Sequence, residues 1–188
     1  MPTPYHHGSL RDSLLEAGRR QLLEEGVASL TLRGLAKRVG VSHSAPLRHF
    51  DDRDALLDAI AAAGFAELIS ELESAAGLSS LRARLTQYAR AHARFALESG
   101  PLLELMFSVG PGGGAAEESA ARFFALGGEL LGERADRESG PLPYLLAATL
   151  EGIGSLVASG RLPVERVDEV VDEAVSMLLP AVEARLSS

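Results

Sequence analysis

Thr31 to Phe50 reads TLRGLAKRVGVSHSAPLRHF, and its order of caps, small residues and breakers predicts two short helices joined by a tight turn. Thr31 stands where a side-chain oxygen caps a helix over residues 32–39, whose inward face is Leu35, Ala36 and Val39. The small Ala36 lets a crossing helix approach. Gly40 can take the left-handed backbone that a short turn between steeply crossed helices requires, and Val41 fills the gap behind it. Ser42 is placed to cap a second helix over residues 43–49. Pro46 is tolerable there because it is the fourth residue after that cap, where at most one backbone bond is lost. The spacing is that of a helix-turn-helix, which inserts its second helix into a major groove with the N-terminal residues nearest the base edges.

Roles follow from position. His43, Ser44 and Ala45 are candidates for base contact, by hydrogen bond or methyl packing. Thr31, Arg33, Arg48, His49 and Arg53 are placed to hold phosphates, and Lys37 suits either role. Ser42 presents a helix N-terminus whose free N–H groups suit a phosphate. The charge distribution agrees. The chain carries a formal net charge of −8, yet residues 1–60 hold eight Lys/Arg and eight Asp/Glu, so the whole excess of acid lies beyond them. Between Gly26 and Phe50 there is no acid at all, while Arg33, Lys37, Arg38 and Arg48 are basic. An acid-free basic window in an acidic protein is a local footprint for a polyanion.

Outward from this stretch the periodicity is helical nearly everywhere, with no convincing alternating strand. A helix is expected over residues 9–25, with Leu10, Leu14, Leu15, Leu22 and Leu23 on its apolar face and Gly26 just past its end. Asp51 and Asp52 precede a long helix over residues 53–76. Gly77 breaks it, and Ser79 or Ser80 starts the next, which reaches about Glu98 before Gly100-Pro101. A short helix over residues 102–109, a flexible GPGGG loop at 110–114, and helices over 115–133, 142–159 and 164–185 complete about nine. Pro180 is expected to kink the last helix or end its regular part. The fold class is therefore all-α, with a head over residues 1–52 and a helical body over 53–188.

In the body, Phe65, Tyr88, His92, Phe95, Met106, Phe107, Phe123, Phe124 and Tyr144 are candidates to line a cavity between helices, where bundle ligands sit. His92 lies on the apolar stripe of its helix, so a core histidine with satisfied nitrogens is the competing reading. The closing helices carry apolar stripes, with Leu146 and Leu150 in one and Val167, Val171, Val175 and Leu178 in the other. Such stripes form a core within one chain or half of an intermolecular four-helix bundle, and the second is favoured here.

The run Leu14–Leu57, LLEAGRRQLLEEGVASLTLRGLAKRVGVSHSAPLRHFDDRDALL, resembles the N-terminal domain of TetR/AcrR-type regulators. GVSHSAPLRHF matches the family pattern of Gly-Val-Ser, a variable segment, then His-Phe. Thr31-Leu32-Arg33, Leu35-Ala36 and the Arg53-Asp54-Ala55-Leu56 opening of the long helix match as well. Leu47, counted with the DNA-facing residues, stands where many members have an aromatic, often a tyrosine that reaches a phosphate. Gly18 stands where Ala is usual. The resemblance implies a three-helix DNA-binding head, a ligand-binding body and dimerisation through the last two helices. It also implies repression relieved by a small molecule, with the long helix over 53–76 as lever between the two parts.

The expected partners are therefore an operator duplex, a second copy of the chain and a small-molecule effector. No membrane partner is expected, because Glu151 interrupts the one apolar stretch of span length, Pro141–Gly160, and a charge there is costly in lipid. No cofactor is expected, and no metal: His6-His7 are adjacent, so they cannot both face one ion from a helix, and the chain has no cysteine. A cytoplasmic location fits that lack of cysteine. No P-loop, dinucleotide turn, nucleophile elbow or zinc motif is present, and Glu117-Glu118 read as solvated surface, so enzyme chemistry is not expected. The alternative reading is a helical small-molecule binder or enzyme whose basic head is incidental.

Overall fold

The structure is a computed structural model that describes residues 9–108, 114–131 and 141–186. Its regular structure there is wholly helical, with seven α-helices: α1 (Ser9–Glu25), α2 (Leu32–Val39), α3 (Arg53–Ala76), α4 (Leu81–Ser108), α5 (Ala115–Leu130), α6 (Leu142–Ala158) and α7 (Val167–Leu186). Three single 3-10 turns accompany them. His6 and His7, and all of the GPGGG loop except Gly114, lie outside the described residues.

Side-chain caps form at the starts of three helices. Thr31 Oγ1 accepts from Gly34 N–H at 3.0 Å, Asp52 Oδ1 from Ala55 N–H at 2.8 Å, and Ser80 Oγ from Ala83 N–H at 3.2 Å. Seven helices replace the expected nine for two reasons. Over 43–49 the chain makes turns and one 3-10 turn, Pro46–Arg48, and no α-helix. Pro46 has no N–H to give the Ser42 carbonyl, so the segment closes through bonds three residues apart: Ala45 N–H to Ser42 O at 3.0 Å and His49 N–H to Pro46 O at 2.9 Å. Ser42 Oγ pairs with Ser44 Oγ at 3.3 Å and caps no helix. The second difference is that α4 bends at Ser99 (φ −141°, ψ 37°) and runs on to Ser108. Pro101 falls in the first turn after the bend, where a missing N–H is tolerated. Likewise α7 continues through Pro180 to Leu186, so its helical run does not end there.

In the head, α1 and α2 pack on the first turns of α3 around the fully buried Leu14, Leu22, Leu30 and Leu35. Gly18 has a steric purpose: a Cβ there would lie 2.8 Å from Ile60 Cδ1, so the glycine lets α1 settle onto α3. In the body α4 is the hub, packing against α3 on one side and against α6 and α7 on the other. The α4–α6 crossing rests on small residues, since a Cβ on Gly100 would lie 2.8 Å from that of Ala158. Asp58 of α3 caps α5 from another helix, accepting from Ala115 N–H at 2.9 Å and Ala116 N–H at 3.2 Å. No helix among the described residues is long and apolar enough to cross a membrane.

Candidate nucleic-acid interface

The turn after α2 is built from backbone bonds that only its glycine permits. Gly40 is left-handed (φ 77°, ψ 31°). Its N–H donates to Lys37 O and that of Val41 to Ala36 O at 2.9 Å, a Schellman closure that satisfies the last carbonyls of α2. The chain thereby turns sharply and presents residues 42–49 on the surface. Pro46 and Phe50 are buried beneath them and anchor the segment to the head. Arg11 of α1 lies over the Phe50 ring, 5.5 Å from its centroid.

Thr31, Arg33, Lys37, Ser42, His43, Ser44, Leu47, Arg48 and His49 are all exposed, and Ala45 is half-buried. Leu47 is 55% exposed, unusual for a leucine that flanks a core and consistent with a contact surface. The basic residues then divide in two. Arg38 is held by Glu24 and Glu25 of α1. Arg53 donates through Nε to Leu30 O at 2.8 Å and through Nη2 to Val27 O at 2.7 Å; it fastens the turn after α1 to the start of α3. That is a structural role, which its sequence position did not suggest. Arg33, Lys37 and Arg48 have no acid partner among the described residues. Sequence position alone did not separate these two groups, because the acids that neutralise Arg38 lie thirteen and fourteen residues upstream.

The body residues scatter more widely. Phe65, Phe107 and Phe123 form an edge-to-face cluster with centroids 5.6 to 6.1 Å apart, and Tyr88 stacks on Phe123 at 6.3 Å. Phe65, Tyr88, Met106 and Phe123 are buried in the core and are not among the residues that line the cleft between α4 and α6. Tyr144 is 65% exposed and rests on Phe124. Phe95 faces a separate polar groove beside Arg19 and Arg94.

A cleft of about 540 Å³ lies between the second half of α4 and α6, and of the expected ligand residues Phe107 lines it. Its other walls include Pro101, Leu103, Glu104, Glu151 and Gly154. His92 is buried behind that wall, where a Cβ on Gly154 would lie 3.4 Å from its Nε2. Neither ring nitrogen has a hydrogen-bond partner among the described residues, in contrast to the satisfied nitrogens of the core-histidine reading. Burial lowers its pKa to about 4, so the ring is neutral near pH 7. Burial also raises the Glu151 carboxyl above its ordinary range, and raises the Tyr88 hydroxyl, with a smaller push from the Glu151 charge.

The expected dimer residues need correction. Leu146, Leu150, Val167, Val171 and Val175 are buried within the single chain, packed where α6 and α7 meet α4, so their burial needs no second copy. Leu178 is half-buried. The exposed apolar side chains of these helices are instead Tyr144, Leu145, Leu156 and Met177, the last 74% exposed. The stripe read from the sequence points inward because each helix has apolar residues on more than one face.

Residues 14–60 match the sequence pattern of bacterial regulatory proteins of the tetR family. The chain is 37% identical over 62 residues to an HTH-type transcriptional regulator of Mycobacterium tuberculosis, a match covering 33% of this chain and 26% of that protein. It thus spans about a quarter of the length of the curated relatives it matches. A solved protein of unknown function from Rhodococcus sp. RHA1 shares 38% identity over 96% of this chain and 98% of its own, with a TM-score of 0.82. AibR, solved in complex with isovaleryl coenzyme A and operator DNA, shares the fold at 14% identity over 90% of this chain and 98% of its own, with a TM-score of 0.66. With the capped helix and its turn on the same residues that carry the family pattern, residues 14–60 form a head of the tetR family of bacterial regulatory proteins.

Proposed function

We propose that this chain is a homodimeric, sequence-specific DNA-binding repressor that works in the cytoplasm and leaves a pseudo-palindromic operator when a small molecule occupies its body. One observation carries the DNA reading. Arg33, Lys37 and Arg48 are exposed and free of acid partners among the described residues, around a protruding turn of small and polar side chains, Ser42 to Ala45. Unpaired cations suit phosphates, and short side chains suit base edges. Leu47 is assigned to a thymine methyl in place of a phosphate.

The head comprises residues 1–52 and the body 53–188, with Arg53 as the fastening between them. The second copy docks on the exposed face of α6 and α7, through Leu145, Leu156, Met177 and Leu178. A two-fold pair presents its two heads to successive major grooves, about 34–36 Å apart. An effector in the α4–α6 cleft lies against Gly100-Pro101, immediately after the bend at Ser99. Ser99 Oγ is 3.4 Å from Arg19 Nη2 of α1, which also bonds Glu67 of α3 at 2.9 Å. A ligand that favours another bend at Ser99 therefore moves the head relative to the body and shifts the population away from the operator spacing. This adds α4 to α3 as a lever.

Selection of bound duplexes from a randomised DNA pool tests the reading and identifies the operator. An inverted repeat is the expected result. The double variant Arg33→Ala/Arg48→Ala is expected to stay folded and to lose binding to the selected duplex. The salt dependence of its residual affinity should be shallower by about two phosphate contacts. A folded double variant that binds as the wild type does would overturn the contact assignment.

A further inference from the structure

We infer that the cleft between α4 and α6 takes an organic cation with an apolar or aromatic body, its charge held by Glu104 and Glu151. The inference rests on the effector reading above and deepens it by naming the ligand's charge and shape. Among the described residues, the ionisable side chains that line the cleft are both acids, Glu104 and Glu151, and no lysine or arginine lines it. Neither acid is paired with a base among the described residues. Glu151 is half-buried, set in an apolar stretch of α6, and its carboxyl is disfavoured in the charged state by that burial. A buried charge without a counter-ion is costly, and a ligand that supplies one removes the cost.

The rest of the wall fits the body of such a ligand. Pro101, Leu103 and Gly154 are apolar or small, and Phe107 adds an aromatic ring to the wall, a group that attracts cations. His92 is buried behind Gly154 with its Nε2 on that side, and neither of its nitrogens has a partner among the described residues. Being neutral near pH 7, it adds no repulsion toward a positive ligand. A carboxylate, phosphate or acyl-coenzyme A of similar size would instead meet two like charges, with no base among the described lining residues to answer them. The cleft volume of about 540 Å³ is in the range of small-molecule sites.

Isothermal titration of the full chain near neutral pH with phenylbutylammonium, phenylbutanol and phenylbutanoate tests the charge preference on one carbon frame. The ammonium is expected to bind about tenfold tighter than the alcohol, with the carboxylate weakest. Glu151→Gln should bring the ammonium to the level of the alcohol and leave the alcohol unchanged; Glu104→Gln should do the same in smaller measure. The inference is overturned if the carboxylate binds as tightly as the ammonium, if no probe binds, or if both variants keep the wild-type ratio.

Fluorescence anisotropy of the selected duplex, run in parallel, separates this inference from the effector reading. Ammonium that binds without releasing DNA supports the cation site and overturns the effector role. Release by the carboxylate and not by the ammonium overturns the cation site and leaves the effector role standing.

Discussion

The head and the closing pair of helices are both apolar on one side and polar on the other, yet their stripes carry different information. In the head, each apolar position has one destination. Leu35 and Ala36 of α2 are fully buried against α1 and α3, and a helix of eight residues has room for no second apolar face. In α6 and α7 the apolar residues exceed one face. Val171 and Leu146 go inward to α4, while Leu145, Leu156 and Met177 remain on the outside. A stripe fixes which residues are buried only when it is the one stripe available. Where there are two, the register of packing decides which is core and which awaits a partner.

The largest test of this contrast is a pH measurement on the body core. His92 is neutral and unpartnered when folded, with a pKa near 4 against about 6.5 in an unfolded chain. Between those values the unfolded state binds more protons, so stability rises with pH through that window. The contribution is fully present above pH ~6.5 and is lost as the pH falls toward 4, by about 3 kcal/mol. Urea unfolding across that range should show the slope in the wild type, and His92→Leu should lack that part of it. An unchanged slope in His92→Leu would mean the imidazole is solvated.

A pair of substitutions on α7 is the next in size. Val171→Ala is expected to destabilise the single chain by about 2 kcal/mol, since Val171 is fully buried. Met177→Ala should change stability by less than about 0.5 kcal/mol, because most of its side chain faces solvent. Leu145→Glu with Met177→Glu should instead shift sedimentation toward the monomer and leave the helical content intact. If the two positions behaved alike in denaturant, the division of α7 into an inner and an outer face would fail.

The smallest test belongs to the head. Thr31→Ala removes the oxygen that accepts from Gly34 N–H and should cost about 1 kcal/mol, read in the same urea assay. Thr31→Ser should restore most of it. The loss should appear with no change in self-association, since the cap acts within a single turn of chain.

What was legible beforehand was what neighbours in the chain decide. The Thr31 cap, the left-handed Gly40 and the bounds of α1, α2 and α3 all follow from interactions spanning five residues or fewer, and they formed as expected; the Asp52 and Ser80 caps are as local. The regular helix expected over residues 43–49, with Ser42 as its cap, underweighted a single missing N–H at Pro46; the break expected at Gly100-Pro101 is only a bend within α4. The all-helical class and the acid-free window were likewise fixed by composition and period. Only tertiary structure could decide the rest. Arg38 and Arg53 leave the set of free cations because partners on other elements take them, Gly18 is explained by Ile60, and Glu151 meets Glu104 only because α4 and α6 cross at glycines. Side-chain period depends on the local helix geometry, whereas the partner of a face, a charge or a cavity wall depends on which distant segments the whole fold brings to it.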